Sequence, residues 1–277
     1  MSEQQSLAPE DVPRANGMPM LGLGTWQNDD PTDCARSVET ALNMGYRHID
    51  TAQIYGNEEA VGEGIANADV DREDVFLATK VWTDNLAYDD VIESTEESLE
   101  KLGVESVDLL YVHWPSGEYS PEETLRAFDE LYDEGRIDRI GVSNFQPEHV
   151  ETAVEYTEAP VFANQVELHP LLPQEELREA CAEHDVEVVA YSPLARGEVF
   201  DVPELEEIAD EHGVSAAQVS LAWLREKGVT AIPKATSEDH IDDNWDSLRL
   251  ELEPEDVERI DAIDRTDRQV DPDFAPW

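Results

Sequence analysis

Positive charge is the scarcest feature of this 277-residue chain. Lys and Arg number 18 against 66 Asp and Glu, which gives a formal net charge of −48. A surface with this charge repels phosphate groups, so the composition excludes a general nucleic-acid binder and a protein that docks on anionic membranes. The acidic residues are spread along the chain and do not form a tail. This pattern is typical of a protein from a high-salt cytoplasm.

We expect the folding of this chain to depend on salt. At about 1 M salt the Debye length is roughly 3 Å and surface carboxylates scarcely repel one another, whereas at about 0.1 M it is roughly 10 Å. Their repulsion should then destabilise the compact state. Disorder is the alternative interpretation of such a charge, but apolar residues recur periodically along the whole chain and six Trp are present.

Cysteines and long apolar runs are also scarce. Cys34 and Cys181 lie far apart on predicted helices, and the absence of a Cys-x-x-Cys pair argues against a disulfide framework or structural zinc. We expect two free, buried thiols. No stretch approaches the ~20 apolar residues of a membrane span, and the N-terminal residues have neither the basic region nor the apolar run of a signal peptide. We therefore expect a cytoplasmic protein without membrane contact.

Short apolar segments alternate with helical patterns eight times along the chain. This alternation predicts an α/β fold with a parallel sheet, and eight units in about 250 residues fit a closed (β/α)8 TIM barrel better than an open sheet. No linker interrupts the pattern, so we predict one barrel domain over residues 1–277. The strands are predicted at residues 20–23, 48–50, 75–79, 107–112, 137–142, 162–167, 187–190 and 229–232.

Two features are predicted outside the eight units. Asn16-Gly17 indicates a tight turn and hence a possible N-terminal β-hairpin. A helical pattern beyond the last unit predicts an extra C-terminal helix before a proline-rich tail. The helices are predicted at residues 33–44, 57–67, 88–102, 121–134, 147–155, 174–184, 203–212, 215–227, 238–247 and 254–263.

Ionisable side chains follow three successive strands. The second strand ends at Asp50 with Tyr55 in the next loop, the third ends at Lys80 and the fourth at His113. Active sites of such barrels lie at the C-terminal strand ends, and neighbouring strands are ~4.8 Å apart. Each residue alone is more often a cap or a packing residue, but together on adjacent strands they predict a site on one side of the barrel mouth.

These four residues suggest a general-acid apparatus. A phenol with a pKa of about 10 is a poor acid at neutral pH, and a nearby ammonium lowers that pKa. Asp50 would hold Lys80 charged, and His113 could orient a substrate oxygen. Such a group protonates a developing alkoxide. The sequence shows no nucleophile, paired-carboxylate site or metal site beside it, so a hydride cofactor is implied.

The placement of the lysines also supports a site at the barrel mouth. The chain has only four lysines, and Lys101 and Lys227 lie near helix C-termini, where the helix dipole favours cations. Lys80 and Lys234 instead end strands at the barrel mouth. Lys234 is well placed for a cofactor phosphate because a helix begins soon after it.

Eight short stretches together resemble the aldo-keto reductase family over nearly the whole chain. The resemblance is to the short bacterial and archaeal members that reduce keto-sugars, such as diketogluconate, and small aldehydes. It implies the (β/α)8 fold and the use of NADPH. The stretches are GLGTW (22–26), HIDTAQIYGNE (48–58), LATKVW (77–82), VHWP (112–115), GVSNF (141–145), NQVELHP (164–170), YSPLARG (191–197) and IPKATS (232–237).

The resemblance also implies roles for individual residues. The catalytic tetrad would be Asp50, Tyr55, Lys80 and His113, with Tyr55 as the proton donor. An apolar wall against the substrate would consist of Trp26, Trp82 and Trp114. Contacts to the cofactor would come from Thr25, Ser143, Asn144, Gln165, Tyr191, Ser192, Leu194, Arg196, Lys234, Thr236, Ser237, His240, Asp243 and Asn244.

The sequence departs from the family pattern at two places. NADP-using members usually have Ser after the lysine and Arg six positions beyond it, and here these positions are Ala235 and His240. A mostly neutral His weakens recognition of a 2′-phosphate, so Lys234 favours NADPH while use of NADH stays open. The tail is short and ends at Asp273 to Trp277. Phe274 or Trp277 could reach the pocket, but we expect a tail that lies on the surface.

Other functions fit the same residues less well. Glu167 and His169 have two-residue spacing but lack a third ligand for a metal site, so we predict no metal. A cofactor-sensing barrel that regulates a partner is the alternative function, and a sugar isomerase would need a metal or a pair of bases. We expect a monomer acting on a small-molecule carbonyl, whose identity and preferred direction of reaction the sequence leaves open.

Overall fold

Eight parallel strands form one sheet that curls and closes on itself. The computed structural model describes residues 7–277. The strands follow one another in chain order around the sheet. Their bounds are β3 Leu23–Gly24, β4 His48–Asp50, β5 Phe76–Val81, β6 Leu109–Val112, β7 Ile140–Ser143, β8 Val161–Glu167, β9 Glu187–Tyr191 and β10 Thr230–Ala231.

Backbone hydrogen bonds between the first and last strands of the sheet close the barrel. The Gly22 amide donates to the Ala231 carbonyl at 2.9 Å and the Gly24 amide to the Pro233 carbonyl at 3.1 Å, while the Ala231 amide donates to the Met20 carbonyl at 2.9 Å. Position 24 requires glycine, because a Cβ there would lie 2.6 Å from the Ile232 carbonyl oxygen. The predicted (β/α)8 barrel is therefore confirmed.

The strands are buried on both faces, because helices cover the outer face of the sheet and side chains fill the inside of the barrel. Alternate residues of β5 divide between two cores: Leu77 joins the outer core between sheet and helices, whereas Phe76 and Ala78 join the core inside the barrel. Lys80 has the same parity as Phe76 and Ala78, so the two-residue period of the strand sends its side chain into the barrel.

A hairpin precedes the barrel, as the Asn-Gly pair predicts. It pairs β1 (Arg14–Ala15) with β2 (Met18–Pro19) in antiparallel fashion. Asn16 and Gly17 both have positive φ, 45° and 93°, which is the requirement of a type I′ turn. Met18 of this hairpin is fully buried in the core inside the barrel.

Helices surround the sheet: the first six contact one another in chain order, as do the seventh to the ninth, and the ninth contacts the first. The first helix begins earlier than predicted, because Asp30, not Asp33, caps it: Asp30 Oδ1 accepts from the amides of Thr32 and Asp33. The helices are α1 Pro31–Met44, α2 Glu58–Asn67, α3 Tyr88–Leu102, α4 Pro121–Asp133, α5 Pro147–Tyr156, α6 Glu175–Glu183, α7 Pro203–His212, α8 Ala216–Glu226, α9 Glu238–Asp246 and the extra α10 Pro254–Asp261.

The expected free, buried thiols are confirmed. Cys34 and Cys181 are free and buried, and burial raises the pKa of each thiol to about 11. Within residues 7–277, none of the helices is long and apolar enough to cross a membrane.

Candidate active site

A cleft of about 540 Å³ opens at the C-terminal ends of the strands. Trp26, Trp82 and Trp114 line it, and so does Lys234. The cleft walls include three of the four predicted catalytic residues, and the fourth, Lys80, lies directly beneath them. Predicted residues that line the cleft are Thr25, Trp26, Asp50, Tyr55, Trp82, His113, Trp114, Ser143, Asn144, Gln165, Tyr191, Ser192, Leu194, Arg196 and Lys234.

The floor of the cleft is an ion pair between Lys80 and Asp50. Lys80 Nζ lies 2.5 Å from Asp50 Oδ1 and donates a second hydrogen bond to the Thr51 carbonyl at 2.8 Å. Both side chains are almost fully buried. Burial lowers the pKa of Lys80, and the charge of Asp50 opposes this effect. A buried pair of this kind fixes the ammonium at one position beneath the cleft.

Asp50 is held from a second direction by Gln165. Gln165 Nε2 donates to Asp50 Oδ2 at 2.7 Å from β8, across the barrel interior. Both carboxylate oxygens therefore accept a hydrogen bond from a side chain. Gln165 was predicted to contact a cofactor, and its bond to the ion pair is a contact that sequence reasoning missed.

Tyr55 lies at the end of a 3-10 turn, Gln53–Tyr55, in the loop after β4. Gly56 follows in the left-handed region with φ 67°, which turns the chain into α2. The Tyr55 hydroxyl lies 3.5 Å from Lys80 Nζ. Lys80 is thus the cation beside the phenol, as the strand-end pattern predicts.

The predicted direction of the Tyr55 pKa shift is wrong for this state of the protein. Burial, and after it the negative charge of Asp50, raises the pKa of Tyr55 well above its ordinary value. The physical reason is that Asp50 cancels much of the field of Lys80, while the phenol has lost its water. Tyr55 is consequently a fully protonated phenol at neutral pH.

His113 follows β6 and faces Tyr55 across the cleft. The two rings meet edge to face with centroids 5.8 Å apart, and Trp82 packs against the imidazole at 5.2 Å. Burial, and after it the charge of Lys80, lowers the pKa of His113 well below its ordinary value. His113 is therefore a neutral imidazole and serves as a hydrogen-bonding group.

Two buried residues after Tyr55 support this cluster, and sequence reasoning missed both. Glu58, at the start of α2, accepts from Thr79 Oγ1 at 2.7 Å and Ser98 Oγ at 3.3 Å. Asn57 accepts from Thr51 Oγ1 and donates to the Thr25 carbonyl, both at 2.9 Å. A Glu in a first helical turn is usually solvated, so the sequence carried no signal of its burial.

A second hydrogen-bond network lines the middle of the cleft. Tyr191 donates from its hydroxyl to Asn144 Oδ1 at 2.8 Å, and Asn144 Nδ2 donates to the His113 carbonyl at 3.0 Å. Ser143 Oγ donates to the Gln165 carbonyl at 2.7 Å. Asn144 has φ 63°, a left-handed conformation that Asn tolerates better than most residues. The network fixes the Tyr191 ring in the cleft.

The loop after β9 forms one side of the cleft. Ser192 and Arg196 have positive φ, and the Arg196 guanidinium lies over the Trp26 ring at 4.6 Å from its centroid. This cation–π contact joins the two sides of the cleft. Leu194 lies between Ser192 and Arg196 in the same loop and contributes an apolar surface to the cleft.

The predicted phosphate-end residues are only partly in the cleft. Lys234 lines it and is exposed, whereas Thr236, Ser237 and His240 lie beyond it at the start of α9. Ser237 caps α9 and accepts from the His240 amide. Asp243 accepts from Ser215 Oγ at 2.7 Å and Gln218 Nε2 at 2.6 Å, and Asn244 is buried.

The predicted apolar wall has a fourth member from the C-terminal tail. Phe274 lines the cleft and meets Trp114 and Trp82 edge to face, with centroids 5.3 Å and 6.2 Å away. Trp277 packs on Trp114 at 5.6 Å. Both tail aromatics are partly exposed at the surface, but the structure supports the alternative that the tail reaches the pocket, because both rings pack onto the ring of Trp114.

Glu167 and His169 form a hydrogen-bonded pair, with 2.9 Å between His169 Nε2 and Glu167 Oε1. The part of the chain that the structure describes contains no group of three or more His, Cys, Asp or Glu residues arranged to hold a metal. Glu167 instead binds backbone amides of the tail.

The closed barrel, with a cleft at the C-terminal ends of its strands, has the architecture of the (β/α)8-barrel enzymes. Its sequence matches the aldo/keto reductase family over residues 20–265, and the chain belongs to that family. The resemblance that the eight sequence stretches indicate is thus confirmed, as is the prediction of an oxidoreductase enzyme. Members of the family use NAD(P)H.

Known relatives extend over nearly the whole chain. It is 42% identical to glyoxal reductase of Bacillus subtilis (strain 168) over 251 residues, which cover 91% of each sequence. It is 40% identical to methylglyoxal reductase DkgB of Escherichia coli O157:H7 over 263 residues, 94% of this chain and 98% of the relative.

Solved structures agree with this relationship. A candidate 2,5-diketo-D-gluconic acid reductase B superposes with a TM-score of 0.91 at 37% identity, covering 95% of each chain. An aldo-keto reductase complexed with NADPH superposes with a TM-score of 0.86 at 33% identity, covering 94% of this chain and 90% of the other.

Proposed function

We propose that the protein reduces a small aldehyde or ketone to the alcohol with NADPH, and that Tyr55 donates the proton. The observation that carries the proposal is the position of the Tyr55 hydroxyl, 3.5 Å from the buried ammonium of Lys80 and beside the neutral imidazole of His113. These three groups surround one point of the cleft. A carbonyl oxygen there would accept hydrogen bonds from Tyr55 and His113.

The raised pKa of Tyr55 suits this role. A protonated phenol holds its proton until negative charge develops on the substrate oxygen, which is when a general acid must act. The phenolate left behind lies next to Lys80, whose ammonium stabilises it. Asp50 and Gln165 keep that ammonium in place, so little reorganisation is needed at the moment of transfer.

The residues present fit a nicotinamide dinucleotide, which would supply the hydride when bound. Arg196 and Lys234 are cations along the cleft of a protein that is otherwise strongly acidic, and this placement suits an elongated anion. Tyr191 offers a ring that its bond to Asn144 holds in place, suited to stacking. Ser143, Asn144 and Gln165 supply polar groups near it.

We propose NADPH as the preferred donor, because Lys234 is a cation near the end of the cleft. Ala235 lacks the hydroxyl, and His240 the fixed charge, that usually complete a 2′-phosphate site. The discrimination between NADPH and NADH should accordingly be modest, and both should support turnover.

The substrate we propose is a small carbonyl of the kind named for the relatives, glyoxal or methylglyoxal. Support comes from the aromatic end of the cleft, where Trp82, Trp114 and Phe274 restrict the space around Tyr55 and His113. Such walls favour short or flat aldehydes.

The test is NADPH oxidation with methylglyoxal at high salt, comparing wild type with Tyr55→Phe. We expect the variant to lose about 10²–10⁴-fold in kcat, the range of general-acid catalysis, with NADPH binding unchanged. Tyr156→Phe, at an exposed tyrosine on α5, serves as the matched control. Full turnover by Tyr55→Phe would exclude the proton-donor role, and wild-type protein that binds NADPH but reduces no carbonyl would favour a cofactor-sensing barrel.

We also propose that the protein works in a high-salt cytoplasm, on the basis of its net charge of −48. Dialysis from about 2 M to about 0.1 M salt lengthens the Debye length to roughly 10 Å. The surface carboxylates then repel one another, and the protein should unfold. Circular dichroism that stays unchanged at low salt would contradict this proposal.

A further inference from the structure

One buried carboxylate accepts hydrogen bonds from the backbone of the C-terminal tail. Glu167, the last residue of β8, has a fully buried side chain. Its Oε1 accepts from the Gln269 amide at 2.6 Å and its Oε2 from the Val270 amide at 2.8 Å. His169 Nε2 donates to Oε1 at 2.9 Å, which orients the carboxylate.

The residues on either side of this anchor bring the tail to the substrate end of the cleft. The Asp267 amide donates to the Leu171 carbonyl at 2.9 Å just before it. Val270 itself lines the cleft, and Phe274 four residues later packs on Trp82 and Trp114. The tail has no helix or strand of its own beyond α10, so its path depends on such contacts.

The far end of the tail is closed by its own side chains. The Arg268 guanidinium lies over the Trp277 ring at 3.9 Å from the centroid, and Trp277 Nε1 donates to Asp271 Oδ1 at 3.0 Å. Trp277 also packs on Trp114. These contacts at the surface add to the buried anchor.

We propose that Glu167 is a positioning residue for substrate selection: by holding the amides of Gln269 and Val270 it sets the place of Phe274, and so decides which carbonyl side groups the cleft accepts. The proposal rests on the reductase activity proposed above. Glu167 lies opposite Tyr191 in the β8–β9 register and makes its hydrogen bonds to the tail and to His169, so it acts through the tail and not on the reacting atoms.

Glu167→Gln is the variant that removes the anchor with the least change in shape. A carboxamide has one acceptor oxygen, so whichever way it turns, a tail amide faces its NH₂ group and loses its partner. Glu176→Gln is the matched control, since Glu176 is exposed on α6 and undergoes the same chemical change. Circular dichroism and thermal unfolding verify that both variants are folded.

The first measurement compares two probe substrates, methylglyoxal and the ring-bearing para-nitrobenzaldehyde. For Glu167→Gln we expect KM to rise about five- to tenfold with para-nitrobenzaldehyde, the size of one lost buried hydrogen bond. The kcat values and the KM for methylglyoxal should change less than twofold. Phe274→Ala should raise the KM for para-nitrobenzaldehyde by a similar factor. In the double variant, which combines Glu167→Gln with Phe274→Ala, the KM for para-nitrobenzaldehyde should equal that of Phe274→Ala alone.

The second measurement needs no activity. Trypsin cleaves after Arg268, at the peptide bond to the Gln269 amide that Glu167 holds, and mass spectrometry detects the loss of residues 269–277. We expect this cleavage to be at least fivefold faster in Glu167→Gln than in wild type or Glu176→Gln.

An unchanged ratio of the two KM values, a full Glu167 effect in the Phe274→Ala background, or equal cleavage rates would each overturn the proposal. If the wild type oxidised no NADPH with either probe, the proposed function would fail, while the trypsin rates would still decide whether Glu167 holds the tail.

Discussion

The floor of the cleft and the segment from Lys234 to the start of α9 are built in opposite ways. At the floor, the dry end of the site, Asp50 and Lys80 are almost fully buried, and each makes more than one hydrogen bond to the protein. In the segment after β10, the wet end of the site, Lys234 and His240 are exposed, and so are Glu238 and Asp239 at the start of α9. The dry end keeps its charges in fixed positions, whereas salt screens the wet end.

This difference indicates where the protein depends on geometry and where it depends on the solvent. A buried ion pair loses much of its attraction to desolvation, so its value is in positioning. An exposed cation among acids attracts a phosphate only weakly and in a salt-dependent way. We therefore expect substitutions at the dry end to have large effects on the reaction and substitutions at the wet end to tune affinity.

Lys80→Met should have the largest effect. Removing the ammonium leaves Asp50 buried without its counter-ion, which costs about 3–5 kcal/mol of unfolding free energy, and the phenolate of Tyr55 loses its stabilising charge. We expect kcat to fall about 10²–10⁴-fold. Chemical denaturation and NADPH oxidation measure the two effects.

A second substitution separates these effects. Asp50→Asn added to Lys80→Met removes the unpaired charge while keeping an acceptor for Gln165, so stability should return and turnover should not. Lys101→Met on α3, an exposed lysine, is the control and should change neither quantity much. Recovery of turnover in the double variant would show that the cluster acts only as structural support.

Much of this dry end could be predicted from the sequence. Asp50, Lys80 and His113 follow successive strands, and the active sites of such barrels lie at the C-terminal strand ends, so the pattern alone predicts that these side chains lie together. The raised pKa of Tyr55 could not be predicted in the same way, because sequence indicates which charges are near but not how much water is lost.

The tail shows the other limit. Residues after α10 have no periodic pattern, and Phe274 reaches the cleft through bonds from Glu167, a residue about a hundred positions earlier in the chain. The sequence pair Glu167 and His169 suggests polar chemistry but does not identify backbone amides as its partners. Contacts of this kind depend on the completed fold.

Lowering the pH should have the next largest effect, a loss of unfolding free energy. This loss tests how far water is excluded from the barrel interior. Burial is the main cause that lowers the pKa of His48, which lies inside the barrel at the start of β4. Folded His48 stays neutral while the unfolded chain takes up a proton below pH of about 6.5. Its contribution to stability is therefore complete above that pH and is lost as the pH falls.

We expect the unfolding free energy to fall as the pH drops from 8 towards 5, and proton linkage limits the contribution of His48 to at most about 2 kcal/mol. His48→Gln, which keeps a donor for the Pro19 carbonyl, should flatten the curve by this amount. Denaturation in guanidinium at a series of pH values measures it, because high salt screens the surface acids. His184→Gln, at the end of α6, is the comparison, and an equal change in both variants would contradict a dry interior.

His240→Arg should have the smallest effect and acts on the wet end alone. Arg places a permanent charge six positions after Lys234, where it could pair with a 2′-phosphate. Because the site is exposed and Glu238 and Asp239 adjoin it, we expect only about a fivefold fall in the Kd of NADPH, equivalent to about 1 kcal/mol. NADH lacks the phosphate and is the internal control, so its Kd should not change. Titration of both nucleotides at low and high salt should show the gain shrinking as salt rises, and an equal gain for NADH would mean that His240 does not face the 2′ position.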